Sequence, residues 1–252
     1  MSKIKFIGVK KAFPGHGAEA VIALDGIDLG IGQDEFVSVV GPSGCGKSTL
    51  LYLLGGFLEL SAGQILVDGK PVTEPSPERG IVFQHFALFP WKTVMGNVEF
   101  GLAESGMPKD ERRAVAQRYI DMVKLTGFEH SFPNRLSGGM QQRVALARTL
   151  ACDPDVLLMD EPFGALDAQT RHILQQELLE IWRRQKKTVL FVTHDVREAV
   201  ILSERVVVLS ARPGRIKAVL DTKLGADAPR TAVEDLCETI WSLLREEMAL
   251  TA

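Results

Sequence analysis

A glycine-rich segment between two apolar runs constrains the fold of this chain more than any other feature. Residues 41–49 have the sequence Gly-Pro-Ser-Gly-Cys-Gly-Lys-Ser-Thr, which fits the pattern G-x-x-x-x-G-K-[ST]. The run Phe36–Val40 before it predicts a buried strand, and the run Leu50–Leu54 after it predicts a helix. A strand, a glycine-rich turn and a helix in this order predict a phosphate-binding loop, although a glycine-rich turn with an incidental lysine would share the pattern.

The residue types of this segment, the P-loop, suit the phosphates of a nucleotide. Its glycines let several backbone N–H groups converge on one anion at the positive end of the following helix. Lys47 is placed to reach the β- and γ-phosphates, and the Ser48 hydroxyl is placed to ligate Mg²⁺. The predicted nucleotide-binding residues of the loop are Gly41, Pro42, Ser43, Gly44, Cys45, Gly46, Lys47, Ser48 and Thr49.

Cysteine placement bears on redox chemistry and on location. Cys45 lies inside the P-loop beside a lysine and a helix N-terminus, and both favour the thiolate form. It is either a thiol whose modification blocks the nucleotide or a small side chain without a redox role, and the second interpretation is favoured. With Cys152 and Cys237 the chain has three cysteines without metal-ligand spacing, which indicates a reducing cytosol.

Charge and hydropathy argue against two other classes of protein. The 252 residues carry 29 basic and 32 acidic side chains without a long basic block, so we do not expect nucleic acid as a partner held by charge. No apolar stretch approaches the roughly 18 to 20 residues of a membrane span, and the start Met1-Ser2-Lys3 lacks the apolar core of a secretory signal. We therefore expect a cytoplasmic protein.

Apolar runs along the chain predict an α/β fold. Residues 3–40 mix alternating runs with turns, which predicts a small β-rich layer, and Asp68-Gly69 is a favoured tight-turn pair. Continuous apolar runs separated by helical patterns predict a parallel sheet covered on both faces. Its strands are predicted at residues 35–40, 80–83, 156–159, 188–193 and 206–209, and a further β segment like the first layer is predicted at 64–67.

Helical periodicity predicts a subdomain and a terminal helix. From about residue 93 to 151 apolar residues recur at helical spacing, which predicts a helical subdomain inserted into the sheet domain. One predicted face carries Val115, Tyr119, Met122 and Val123. The same spacing at 233–247, after a Gly-Ala-Asp-Ala-Pro stretch at 225–229, predicts a terminal helix. The predicted division is a core at about 1–92 and 152–215, the helical subdomain at about 93–151 and a tail at about 216–252.

Two acids follow the apolar run Val156–Met159 directly. Because the carboxyl ends of parallel strands meet at one edge of a sheet, we expect Asp160 and Glu161 at the edge where the P-loop lies. Asp160 is placed to hold the hydration shell of Mg²⁺, and Glu161 to accept a proton from an attacking water. Alone this pair would be a solvated turn, but together with the P-loop it predicts a hydrolytic site.

Two further polar residues, Gln84 and His194, also follow apolar runs. A lone glutamine or histidine in such a place is usually a turn or surface residue. Four elements with the same placement favour a common site instead.

A second anion-receptive helix N-terminus is encoded at Ser137, Gly138 and Gly139, where two glycines open the helical run Val144–Leu150. One P-loop needs no second phosphate clamp. We therefore expect this segment to serve the nucleotide of another copy in a head-to-tail dimer with two composite sites. The alternative is a simple capped helix.

The chain resembles the nucleotide-binding subunit of an ABC transporter over residues from about 6 to 215. The Leu-Ser-Gly-Gly segment is the most specific part, since other P-loop NTPases lack it. The resemblance implies ATP and Mg²⁺ as cofactors and a RecA-like P-loop NTPase core with an antiparallel β layer and an inserted helical subdomain. It is carried, in chain order, by the P-loop, Gln84, Leu136–Met140, Asp160–Glu161, Ala165–Asp167 and His194.

The resemblance also implies a role for each matching residue. Asp160 would be the Walker B acid and Glu161 the catalytic glutamate. Gln84 would touch Mg²⁺ and the lytic water, Asp167 would be the D-loop aspartate, and His194 would contact the γ-phosphate. The catalytic residues would be Lys47, Gln84, Glu161 and His194, and the Mg²⁺ ligands would be Ser48, Gln84 and Asp160.

The resemblance extends to the second helix N-terminus and to one aromatic residue. Ser137, Gly138 and Gly139 would contact the γ-phosphate bound by the second copy. Phe13 stands where the family places an aromatic side chain that stacks on adenine, although a core phenylalanine is the alternative. Two departures, Met140 for the usual Gln and Gly164 for the frequent Ser, remove no group from this chemistry.

A narrower likeness concerns the segment after Gln84. Residues 88–94, Leu-Phe-Pro-Trp-Lys-Thr-Val, are similar to importer ATPases for nitrate, sulfonates and taurine. The likeness implies a groove for a cytoplasmic helix of a transmembrane permease, near Gln84 to Trp91, and an external solute-binding protein as an indirect partner. Internal packing is the alternative for the side chains that would line this groove, namely Phe86, Leu88, Phe89 and Trp91.

These observations favour the ATPase subunit of an uptake transporter, peripheral on the inner face of the cell membrane. A soluble ATPase of the same superfamily that acts on ribosomes or DNA is the second hypothesis, but such relatives usually carry two cassettes or a long coiled coil. A regulatory module that binds nucleotide without hydrolysis is the third, and Glu161 and His194 argue against it.

Overall fold

The computed structural model describes residues 2–15, 20–222 and 230–249. The strands are β1 (Ser2–Phe13), β2 (Val21–Gly32), β3 (Phe36–Val40), β4 (Ala62–Val67), β5 (Lys70–Pro71), β6 (Arg79–Val82), β7 (Val156–Asp160), β8 (Thr188–Val192), β9 (Arg205–Leu209) and β10 (Ile216–Asp221). The helices are α1 (Lys47–Gly55), α2 (Val94–Glu104), α3 (Lys109–Met122), α4 (Gly138–Ala151), α5 (Ala168–Gln185), α6 (Val196–Leu202) and α7 (Arg230–Ala249), with a 3₁₀ turn at Pro133–Arg135.

The chain divides into two compact units, one of Met1–Ser76 with Lys186–Ala252 and one of Pro77–Gln185. The boundaries predicted for the core, the helical subdomain and the tail remain predictions. The predicted loose stretch at 225–229 lies outside the described residues.

An antiparallel sheet, in the order β2-β1-β4-β5, forms one layer of the first unit. Ile4 and Phe6 of β1 are buried at alternate positions, and Val9 is buried beyond a register shift between Phe6 and Val9. Asp68 and Gly69 both have positive φ, which is the geometry of a two-residue hairpin turn between β4 and β5. The predicted N-terminal β layer is thus confirmed.

The other sheet strands of the first unit are adjacent in the order β10-β9-β3-β8. β3 pairs in parallel with β8 and β9, and every residue of β3 and β8 is buried. The continuous apolar runs reflect this burial, because a strand covered on both faces needs apolar side chains on both. On one side, Ile240 and Leu244 of α7 pack into a cluster with Val196, Val200 and Val208.

The second unit joins a parallel strand pair to helices. β6 and β7 pair in parallel from Arg79↔Val156 to Val82↔Met159, and α2, α3 and α4 pack on one another. Of the residues at the predicted helical spacing, Tyr119 and Val123 are buried, and Val115 and Met122 are half-buried. The buried face of α3 and the turn after it carries Ala116, Tyr119, Ile120 and Val123.

Parallel strands, flanking helices and the antiparallel layer confirm the predicted α/β class. Within the described ranges, no helix combines the length and the apolar character that a membrane crossing requires.

Candidate functional site

The P-loop joins β3 to α1 and wraps around the side chain of its own lysine. Lys47 is the first residue of α1 and is 7% exposed. Its Nζ donates to the carbonyl oxygens of Gly41 at 2.8 Å and Pro42 at 3.1 Å. The ammonium group therefore lies inside the arch of the loop, where a triphosphate would need a positive charge.

Close packing against Leu24 and Gly214 restricts the backbone of the P-loop on one side. Gly44 and Gly46 have φ of 76° and 103°, values that side chains rarely allow. A Cβ on Gly46 would lie 2.7 Å from a methyl of Leu24, and a Cβ on Gly214 would overlap the Cys45 carbonyl oxygen. The loop has no room to relax on that side.

Two further side chains, those of Arg212 and Cys45, bear on the conformation and the chemistry of the P-loop. Arg212, in the β9–β10 hairpin, donates from Nε to the Gly44 carbonyl oxygen at 3.2 Å. Cys45 is 1% exposed, and burial raises the pKa of its thiol, although the charge of Lys47 acts in the opposite direction. Burial therefore opposes the thiolate form, which agrees with the favoured interpretation of Cys45 as a small side chain without a redox role.

His194 leaves the strand beside the one that carries the P-loop. Val39 of β3 pairs with Val192 of β8, and the Thr193 N–H donates to the Val39 carbonyl oxygen at 3.2 Å. The two strands are parallel, so His194 and Gly41 follow their carboxyl ends at the same edge. Asp195 then caps α6 by accepting a hydrogen bond from the Glu198 N–H at 3.1 Å.

In the second unit the structure brings Gln84 and Glu161 together. Asp160 ends β7 and is 3% exposed, and Glu161 follows it with a φ of 44°. Gln84 donates from Nε2 to Oε2 of Glu161 at 3.4 Å. A left-handed residue other than glycine is uncommon, and such conformations concentrate at functional sites. Gln84 and Glu161 thus both lie just after the end of a strand, as predicted.

The segment at Ser137–Gly139 opens α4 as predicted. Ser137 accepts a hydrogen bond from the Met140 N–H at 3.3 Å and so acts as the N-cap, which also satisfies the simple-cap alternative. A Cβ on Gly139 would lie 2.5 Å from the Thr170 methyl, so α4 approaches α5 closely there. A cavity of about 460 Å³ adjoins Ser137 and Gly139 and is bounded by the half-exposed Phe128 and Ile173.

Asp167 lies at the start of α5. Its carboxylate accepts a hydrogen bond from the Thr170 N–H at 3.0 Å, and this bond lowers the pKa of Asp167. The side chain thus stays ionised and caps the helix. Gly164, one of the two departures, donates from its N–H to the Glu161 carbonyl oxygen at 3.1 Å.

Phe13 ends β1 and is half-buried, so it is not a core residue. The Lys11 ammonium lies 5.0 Å from the centroid of its ring. The stacking role on adenine remains a prediction.

The aromatic segment after Gln84 also lies outside the core. Phe89 stacks near Trp91, with ring centroids 5.7 Å apart, and near Phe100 at 4.5 Å, while Trp91 is 71% exposed. Phe86 and Leu88 are half-buried, so internal packing does not account for the segment. A cavity of about 550 Å³ on this unit is lined largely by apolar side chains, among them Ile81, Phe100, Leu102, Met107 and Cys152.

The sequence prediction missed two arginines. Arg212 contacts the P-loop over a separation of 168 residues, and Arg148 contacts the segment after Gln84 over a separation of 61. Neither lies in a motif quoted above, so the sequence carried no local signal for these contacts.

Residues 24–164 match the ABC transporter family. The chain is 54% identical to an uncharacterized ABC transporter ATP-binding protein of Methanocaldococcus jannaschii, over 98% of this chain and 92% of that protein. It is 53% identical to the nitrate import ATP-binding protein of a Synechocystis species, over 82% and 78%. It is 50% identical to the taurine import ATP-binding protein of Yersinia pestis, over 87% and 85%.

Among solved structures, the chain is similar to a dimeric post-hydrolysis state of an ATP-binding cassette bound to ADP and Pi. The TM-score is 0.77 at 35% identity, and the match covers 87% of this chain and 99% of that one. This likeness confirms the predicted P-loop NTPase fold.

Proposed function

Because this chain belongs to the ABC transporter family, we propose that it is the ATP-hydrolysing subunit of an importer for a small solute such as nitrate, a sulfonate or taurine. The observation that carries ATP binding is the P-loop arch with the Lys47 ammonium at its centre. The sequence identity to a nitrate and a taurine import ATP-binding protein extends over most of this chain and of each relative, and it supports an importer of small solutes.

In this proposal the triphosphate lies against the P-loop from Gly41 to Thr49, and Phe13 stacks on the adenine. The donor set for the metal consists of oxygen atoms, those of the Ser48 hydroxyl, the Gln84 amide and the Asp160 carboxylate, and oxygen is what Mg²⁺ prefers. Mg²⁺ supplies charge neutralisation on the β- and γ-phosphates when it is bound.

Hydrolysis needs a base and donors for the developing negative charge. Glu161 accepts the proton of the attacking water, and Gln84, which contacts that carboxylate, orients it. Lys47 and His194 hold the γ-phosphate as charge spreads onto its equatorial oxygens.

The second clamp completes the site in a head-to-tail dimer. Ser137, Gly138 and Gly139 contact the γ-phosphate held by the other copy. Asp167 lies in the loop directly before α5. ATP then stabilises the closed dimer, and hydrolysis allows it to open, because a ligand shifts the equilibrium toward the state that it binds better. The dimeric state of the ATP-binding cassette bound to ADP and Pi supports this arrangement.

The membrane partner is proposed to be a permease that docks a cytoplasmic helix near Gln84 to Trp91. The exposed Trp91 and the apolar cavity of the same unit support this choice, since apolar surface exposed in a groove is typical of helix docking. An external solute-binding protein would be an indirect partner, and the chain would lie on the inner face of the membrane. Action on ribosomes or DNA has no specific observation in its favour.

A mixing experiment tests the composite site. Lys47→Ala and Ser137→Arg variants should each release little phosphate from ATP when assembled with the permease. In mixed assemblies, one site of each heterodimer has both residues intact, so the rate should recover to about a quarter of the parent rate. Activity of each variant alone at the parent rate, or no recovery on mixing, contradicts the proposal.

A further inference from the structure

The turn after Gln84 contains two strained residues in succession. Phe86 and Ala87 have φ of 53° and 47°, the left-handed region that side chains disfavour. The Ala87 N–H donates to the His85 carbonyl oxygen, and the Phe86 N–H donates to the Phe83 carbonyl oxygen at 3.2 Å. Such backbone persists only where surrounding groups hold it.

A single side chain, that of Arg148, binds the backbone of both left-handed residues. Arg148, in the last turn of α4, donates from Nη1 to the Ala87 carbonyl oxygen at 2.6 Å and from Nη2 to the Phe86 carbonyl oxygen at 3.0 Å. Its guanidinium also lies 5.6 Å from the centroid of the Phe89 ring. The planar fork of arginine fits two adjacent acceptors at once, so both strained peptides are fixed by one group.

The helix that carries Arg148 is itself anchored to the strand before the turn. Thr149 donates from Oγ1 to the Ile81 carbonyl oxygen of β6 at 3.1 Å. Arg148 itself is half-buried, and this burial lowers the pKa of its guanidinium. The turn is therefore held against a fixed support and not against a mobile surface chain.

This turn affects Gln84, which lies two residues before Phe86. Its amide contacts Glu161 at 3.4 Å, at the long limit for a hydrogen bond, so a shift of a few tenths of an ångström would lose the contact.

We propose that Arg148 is a positioning residue for ATP hydrolysis, because it fixes the left-handed turn at Phe86 and Ala87 and so sets Gln84 against Glu161. The inference rests on the proposed function only for the reaction that it serves. The turn is also part of the segment assigned to the permease, so the partner would act on the backbone that Arg148 holds.

The test compares phosphate release by the chain assembled with its permease for the parent, Arg148→Gln and Arg148→Lys. Arg148→Gln should lower kcat about tenfold and leave KM for ATP within about twofold, since positioning and not nucleotide binding is lost. Arg148→Lys should recover part of kcat, because an ammonium can donate to one of the two carbonyls. Arg118→Gln, which removes an arginine from the ring of Tyr119 on α3, is the matched control and should behave as the parent.

A second variant separates positioning from a general loss of structure. Ala87→Gly removes the cost of the left-handed φ, so adding it to Arg148→Gln should restore several-fold of the lost kcat. A general packing defect would not respond to this change. The proposal is overturned by unchanged kcat in Arg148→Gln, by a rise in KM as large as the fall in kcat, or by no recovery with either Arg148→Lys or the added Ala87→Gly.

Hydrogen exchange gives a readout without turnover. Arg148→Gln should speed amide exchange in residues 84–92 and leave residues 41–49 unchanged. If the parent assembly releases no phosphate, the proposed function fails, while this exchange result still decides the role of Arg148. Exchange at 84–92 equal to that of the parent contradicts the role.

Discussion

The P-loop and the turn after β6 both contain left-handed backbone, and they stabilise it in different ways. In the P-loop the left-handed residues are Gly44 and Gly46, for which positive φ has no steric cost. In the turn after β6 they are Phe86 and Ala87, for which positive φ has a steric cost. The guanidinium of Arg148 donates hydrogen bonds to the carbonyl oxygens of both residues. The first loop is fixed by residue type and backbone packing, and the second by one side chain from a distant helix.

This contrast indicates which part of the proposed cycle is adjustable. A loop that is packed against Leu24 and Gly214 cannot change shape without moving strands. A turn held by two hydrogen bonds from one guanidinium can be released by a partner that competes for it. Nucleotide binding is therefore expected to be robust, and the hydrolytic geometry to be the part that a permease controls.

The largest expected effect comes from removing the proposed base. Glu161→Gln should lower the rate of phosphate release about 10²- to 10³-fold, because the amide cannot accept the proton of the attacking water. ATP binding should persist, and a closed dimer should accumulate with ATP in size-exclusion chromatography. Release at the parent rate would exclude Glu161 as the base and weaken the division between the two loops.

A substitution at Gly214, which packs against the P-loop, should instead weaken ATP binding. Gly214→Ala places a Cβ on the Cys45 carbonyl oxygen, so the loop must shift and ATP affinity should fall more than about tenfold. Equilibrium binding of ATP measures the loss. The control is Gly96→Ala in α2, where the nearest atom is 3.4 Å away and affinity should not change. Equal affinities for parent and Gly214→Ala would show that the packed support is softer than its geometry implies.

A smaller effect is expected from Arg212, which supports the P-loop. Arg212→Gln removes an exposed donor to the Gly44 carbonyl oxygen, and KM for ATP should rise about threefold with kcat unchanged. Arg245→Gln, which removes an exposed partner of Glu238 on α7, is the matched control. A tenfold loss of kcat in Arg212→Gln would mean that the P-loop, like the turn after β6, depends on a single side chain.

The smallest effect concerns α7 and is seen in stability. The Glu247 carboxylate accepts hydrogen bonds from the Ala211 N–H at 2.9 Å and from Lys217, and the Lys217 ammonium holds its pKa below the usual range. A lowered folded-state pKa contributes stability above the unfolded pKa that is lost as pH falls through the folded value. Glu247→Gln should therefore lower Tm by about one or two degrees at pH 7, and the difference should shrink as pH falls below the ordinary glutamate pKa of about 4.3. A difference that does not shrink on acidification would point to packing and not to charge.

Much of the site followed from short-range patterns. The P-loop, the acids after β7 and the serine-glycine start of α4 could be predicted because each depends on a few adjacent residues and on the strand or helix beside them. The aromatic segment could not be assigned in this way, since the same residues suit a core or a groove. Only the structure, with Trp91 71% exposed, favours the groove.

The order of strands and helices could be predicted from the residues alone, because hydrophobic periodicity and glycine placement act on neighbouring residues. Which distant groups support these elements depends on tertiary packing. Arg148 reaches Ala87 and Arg212 reaches Gly44 only because α4 and the β9–β10 hairpin pack where they do. A side-chain contact over 61 or 168 residues is set by the packing of whole elements, and no local pattern encodes it.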